Sequence, residues 1–173
     1  VLMERAITEI TRRHEVLRTR FSGSHEPPNG ASSDSGPVQI IEPVTPISVP
    51  VEDISTLSTA DQEHRVERLA QEQAQHSFDL TAGSPIRFLL IRLAEQEHVF
   101  CVTVHHIIWD AASIDIFMSE FAQLYNAFQT GQKSQLDPLA YQFREYARSQ
   151  RSQLQSAEHA RQLAYWRNPV SYT

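Results

Sequence analysis

Two apolar runs, Pro85 to Leu93 and His98 to His106, are separated only by Ala94-Glu95-Gln96-Glu97. So short a polar loop leaves two β-rich runs one practical way to pair, as an antiparallel hairpin. Both runs are dense in Ile, Val, Leu and Phe, which predicts strands largely buried on both faces. Immediately after them, Ile114, Phe117, Met118, Phe121, Leu124, Tyr125 and Phe128 recur at three- and four-residue spacing. That period predicts a helix over 113–128 with one apolar stripe packed on the hairpin's sheet.

The remaining elements are arranged around this unit. Met3, Ala6, Ile7 and Ile10 mark an opening helix through Arg13, and Val16 and Leu17 predict a short strand ending near Phe21. Residues 22–37 are dominated by Gly, Pro, Ser, Asn and Asp and read as a mobile surface loop. Segments 38–44 and 47–51 are β-branched but punctuated by Pro43, Pro46 and Pro50, so strands there should be short or at an edge. Helical periodicity returns over 60–76, with Asp61 in the first turn, and over 141–166, as one helix or two. The expected class is α+β, an α/β two-layer sandwich with a mixed sheet and flanking helices, in a single domain of 173 residues. The chain opens at Val1 with helical periodicity already running, which suggests a piece of a longer protein.

Charge and cysteine usage narrow the function. A formal net charge of −6 gives no positive field for a nucleic-acid backbone, so nucleic acid is excluded as a partner. The single cysteine, Cys101, cannot close an internal disulfide, which fits a reducing, cytoplasmic location. No signal peptide is evident, and no apolar run is long enough to span a bilayer, so no membrane role is expected.

Chemistry concentrates in Val102-Thr103-Val104-His105-His106-Ile107-Ile108-Trp109-Asp110-Ala111. If the strand continues through both histidines, its period of two sends His105 and His106 to opposite faces. Only one can then face a given cavity. This argues against a metal site, as does the lack of a third ligand at metal-like spacing. Cys101 is separated from His106 by the same alternation, so a nucleophilic Cys–His pair is not expected. Trp109, with no basic cluster near it, reads as a packing residue.

His105-His106-x-x-x-Asp110, after an apolar strand and before an amphipathic helix, resembles the HHxxxDG signature of the chloramphenicol acetyltransferase superfamily. Arg13-His14-Glu15-Val16-Leu17-Arg18-Thr19-Arg20-Phe21 resembles the RHExLRTxF motif of nonribosomal peptide synthetase condensation domains. Phe78-Asp79-Leu80 with Pro85-Ile86-Arg87 is similar to that family's FDLxxGPLxR segment, and Gln162 to Arg167 to its QLxYW element. All four occur in the family's order, and together they cover nearly the whole chain.

The resemblance implies the N-terminal lobe of a condensation domain, one chloramphenicol acetyltransferase-like lobe of a V-shaped pair, with the C-terminal lobe absent from this chain. The implied parent is a nonribosomal peptide synthetase, or a fungal polyketide or hybrid polyketide/peptide megasynthase. Its partners would be acyl or peptidyl carrier proteins, the C-terminal lobe and neighbouring synthase domains. The chain would need no cofactor of its own, since phosphopantetheine-bound thioesters on the carriers are the substrates. By the same resemblance His106 is the catalytic residue, orienting or deprotonating the acceptor amine, and His105 completes the motif. Asp110 would form a buried ion pair with an arginine of the RHExLRT segment, Arg18 rather than Arg13. Three departures leave alternatives open: Ala111 stands where the family has Gly, the family's upstream SxAQxR stretch is absent, and so is the whole second lobe. The alternatives are a degenerate docking or structural lobe at the end of a polyketide synthase, and a single-lobe acetyltransferase completed by oligomerisation.

Overall fold

The computed structural model describes residues 1–22 and 37–167, which fall into two compact units, Val1–Pro138 and Leu139–Thr173. The first unit is built on the predicted hairpin. Its strands β4 (Ile86–Arg92) and β5 (His98–Val104) pair antiparallel in unbroken register from Ile86 opposite Val104 to Arg92 opposite His98. A short strand β3 (Val51–Asp53) joins the other edge of β4 in parallel, giving a mixed sheet in the order β3-β4-β5. Between β3 and β4 lies α2 (Thr59–Gln75), the crossover a parallel pair requires. Ser58 caps α2 by accepting the Asp61 N–H.

Residues alternating along the strands face different helices. Ile86, Phe88, Phe100, Val102 and Val104 contribute to one apolar cluster, with α1 (Leu2–Arg13) and α3 (Ala111–Gln129) packed against each other. Leu89, Ile91, Val99 and Cys101 face the other way, with Leu69 and Val66 of α2. The α+β class, with a mixed sheet and flanking helices, is therefore as the sequence implies. On the first face Phe88, Phe100, Phe117 and Phe121 form a stack with ring centroids 5.7–6.3 Å apart.

Four local expectations differ from the structure. The hairpin strands are not equally buried: β4 is central and mostly buried, whereas β5, at the sheet's edge, is half-buried because among the described residues it has a strand neighbour on one side only. The segment holding Val16 and Leu17 is a 3-10 turn, Glu15–Arg18, and not a strand. In a strand these adjacent side chains would diverge, whereas the turn lets Leu17 bury and Val16 pack on the same cluster. The strand proper, β1 (Thr19–Ser22), pairs antiparallel with β2 (Val38–Ile41), so Ser22 belongs to the strand. The rest of the expected mobile loop, up to residue 36, lies outside the described residues. Finally, the buried stripe of α3 is narrower than its periodicity suggests: Phe117 and Leu124 are buried, but Ile114 and Met118 are half exposed.

Prolines 43 and 46 fall between β2 and β3, where no ladder donor is missed. In the second unit α4 (Phe143–Leu154) and α5 (Ala157–Arg167) are separate helices divided at Gln155 and Ser156. No helix among the described residues is long and apolar enough to cross a membrane.

Candidate active site

The strand ladder ends one residue beyond β5, where the His105 N–H donates to Pro85 O at 2.9 Å. The chain then turns, with Ile108 N–H donating back to His105 O at 3.2 Å. His106 and Ile107 occupy the exposed corner of that turn, and Ile108 returns to the core. The two histidines are thus separated by a turn, and not by strand pleating as their position after an apolar run suggests. His105 is half-buried on the α2 side, edge-on to the Phe78 ring with centroids 5.9 Å apart, and its Nδ1 accepts the Ile107 N–H at 3.1 Å. Phe78 in turn lies beneath the Arg87 guanidinium, 3.8 Å from the ring centroid. The His106 side chain is exposed.

Asp110 does not pair with Arg18. It is exposed and caps α3: its Oδ1 accepts the Ser113 N–H at 3.0 Å and the Ser113 hydroxyl at 2.6 Å, while Ser113 Oγ accepts the Asp110 N–H. These Ser113 bonds hold the Asp110 carboxyl below the usual carboxylate range, with a smaller contribution from nearby His106. A carboxylate satisfied by local donors at a helix N-terminus has no need of a buried cation. Arg18 is engaged elsewhere, donating to the Glu42 carbonyl and lying 3.9 Å from the Glu15 carboxylate. Ala111 is the first residue of α3 and is exposed, and no non-glycine residue among those described has a positive φ. The backbone here therefore makes no demand that only glycine could meet.

The two motif segments are joined through a residue that sequence reasoning missed. Glu120, buried in the middle of α3, accepts from Arg13 on both carboxylate oxygens, at 3.1 Å from Nη2 and 3.4 Å from Nε, and meets His14 Nε2 at 2.8 Å on the second of them. The Arg13 and Glu120 side chains are only 8% and 10% exposed. The available signal was position: Glu120 lies three residues after Phe117 and four before Leu124, a charge placed on an apolar stripe. Beside this cluster is a cavity of about 80 Å³ lined by Ile10, His14, Leu17, Trp109, Ser113 and Phe117 among others. His14 of the RHExLRT segment, Trp109 of the histidine loop and Ser113 of α3 thus line the same cavity. Trp109 packs edge-on against Phe117 at 5.6 Å. The cysteine is on the α2 face, where burial pushes its thiol pKa up. Among the described residues no group of three or more His, Cys, Asp or Glu is placed to hold a metal ion. The QLxYW-like segment is on α5, in the second unit.

Comparison with known proteins shows the family. The family model of the condensation domain matches residues 1–172. The chain is 34% identical over 169 residues to chondramide synthase of Chondromyces crocatus, covering 98% of this chain and 4% of that protein. It is 37% identical over 167 residues to a protein of the linear gramicidin synthase of Brevibacillus parabrevis, covering 96% of this chain and 2% of the other. Among solved structures, the X-domain from teicoplanin biosynthesis superposes with a TM-score of 0.79 at 31% identity, over 99% of this chain and 36% of that one. The starter condensation domain of rhizomide synthetase shares the fold, with a TM-score of 0.78 at 23% identity over 95% of this chain and 37% of that one. The chain thus spans a few per cent of these synthases and little more than a third of the solved domains. With the histidine loop, the RHExLRT segment and the sheet between them all accounted for, the chain belongs to the condensation-domain family of nonribosomal peptide synthetases.

Proposed function

We propose that this chain is the N-terminal lobe of a condensation domain in a multidomain synthase, and that it moves a carrier-bound acyl or peptidyl group from its thioester to an amine. The observation that carries this reading is the exposed His106 on a turn braced on both sides, by the strand ladder before it and the capped α3 after it. In the reaction the acceptor nitrogen attacks the thioester carbonyl, the new C–N bond forms, the C–S bond breaks, and the phosphopantetheine thiol departs. The imidazole of His106 orients the amine, takes the proton that the nitrogen must lose and passes it to the departing sulfur, a role for which a solvent-facing imidazole is suited. The carriers and a C-terminal lobe supply the rest of the site. Orientation of two tethered substrates can itself be worth roughly 7–11 kcal/mol, so residues 1–173 alone should not turn over.

The test is single-turnover condensation in the full-length parent with its own loaded carrier domains. His106→Ala should lower the rate by roughly 100-fold or more while leaving the melting temperature near that of the wild type. Undiminished product would remove His106 from the chemistry.

A second reading, a non-catalytic docking lobe, is favoured by likeness to the teicoplanin X-domain, a protein also solved in complex with OxyB. That reading expects the His106→Ala parent to make its normal product and deletion of residues 1–173 to impair assembly or release.

A further inference from the structure

Arg87 is a half-buried arginine with no carboxylate partner among the described residues. Burial alone pushes its pKa down, so something other than a counter-ion must compensate its charge. Two features do so. Its Nη2 donates to the carbonyls of Gln73 and His76, at 2.9 and 2.6 Å, at the C-terminal end of α2, where the helix dipole is negative. Its Cζ lies over the Phe78 ring, 3.8 Å from the centroid, where the ring quadrupole attracts a cation.

Phe78 belongs to neither apolar cluster of the unit, so packing of the core does not account for it. It does meet His105, ring edge to ring face at an interplanar angle of 89°. The parity of β5 explains the meeting, because Cys101, Thr103 and His105 share the α2 side of the sheet, the same side as Arg87 and Leu89 of β4. His105 Nδ1 then accepts the Ile107 N–H, which places its ring proton on Nε2 and fixes the turn at whose corner His106 stands. The result is an unbroken series of contacts from the end of α2 through Arg87, Phe78 and His105 to the backbone next to His106.

We propose that Phe78 and Arg87 are positioning residues of the His106 site: the guanidinium anchored on the end of α2 holds the Phe78 ring, and the ring holds the His105 imidazole at the angle that lets Nδ1 receive the Ile107 N–H. The functional half of this inference rests on the reading of His106 as the reacting imidazole. The structural half does not. A planar, stackable cation is essential to the arrangement, so lysine is no substitute at position 87.

The experiment uses the full-length parent and its own loaded carrier domains, with Phe78→Leu, Phe78→Tyr, Arg87→Met and His106→Ala. Two readouts are taken: amide hydrogen exchange of peptides spanning 105–110, and steady-state condensation onto an amine acceptor free in solution, resolved into kcat and KM. Phe78→Leu and Arg87→Met should raise exchange at Ile107 and Ile108 by about tenfold, with peptides of α2 and β4 unchanged. They should lower kcat by up to about 100-fold with little change in KM, the expected result of a misplaced reacting group. Phe78→Tyr, which keeps the ring, should restore both. Unchanged exchange in Phe78→Leu, or a Phe78→Tyr protein that behaves like Phe78→Leu, would overturn the positioning role. If Arg87→Met loosens α2 and β4 as well, Phe78→Leu and Phe78→Tyr alone decide. Full turnover by His106→Ala with raised exchange in Phe78→Leu would overturn the catalytic reading and leave the positioning of the turn established.

Discussion

The start of α3 and its middle each carry a carboxylate, and the two are satisfied in opposite ways. Asp110 at the N-cap is exposed and takes its donors from Ser113, three residues on. Glu120 is buried and takes its donors from Arg13 and His14, 107 and 106 residues away. The comparison separates local from tertiary work: Asp110 shapes the loop that carries His106, whereas Glu120 fastens the helix behind that loop to α1. A motif aspartate need not be the group that ties two motifs together.

The sharpest way to break this contrast is Glu120→Ala. It removes the buried carboxylate that Arg13 and His14 share, and the expected loss of stability is about 3–5 kcal/mol, read by urea denaturation. Asp110→Ala should be clearly milder, since it removes only an exposed cap, and Asp110→Asn should lie near wild type because Asn caps as well as Asp. Equal losses from Glu120→Ala and Asp110→Ala would erase the distinction. The cap also has a pH signature. Because the folded protein holds the Asp110 carboxyl below its usual range, its contribution is complete above the unfolded-state value and is lost as pH falls through the lower folded one. The melting-temperature difference between wild type and Asp110→Asn should therefore be flat through neutral pH and change only in acid below the ordinary aspartate range. The smallest effect expected is from Ala111→Gly: with no positive φ to relieve, the change should lie within about 1 kcal/mol and give no gain in turnover in the parent.

The hairpin, α2 and α3 are legible in the sequence because each depends on short-range periodicity and on a loop too short to allow alternatives. The 3-10 turn at Glu15–Arg18 was not, since two adjacent apolar residues carry no period. The separation of His105 from His106 was legible in outcome but not in cause, as nothing in the apolar run marks where the ladder stops. Asp110 was misread because the family resemblance drew it toward Arg18, although Asp110-x-x-Ser113 is itself a capping pattern. Glu120 escaped because a single charge on an apolar stripe is ambiguous until its partners, more than a hundred residues upstream, are located.

That separation also has a consequence in time. A ribosome adding roughly 5–20 residues per second releases α1 first, and the 107 residues between Arg13 and Glu120 then take roughly 5–20 s to follow. Throughout that interval Ala6, Ile7 and Ile10 have no α3 to cover them, and Arg13 has no Glu120 to meet. The nascent chain must carry α1 half-made until the histidine loop has already been synthesised.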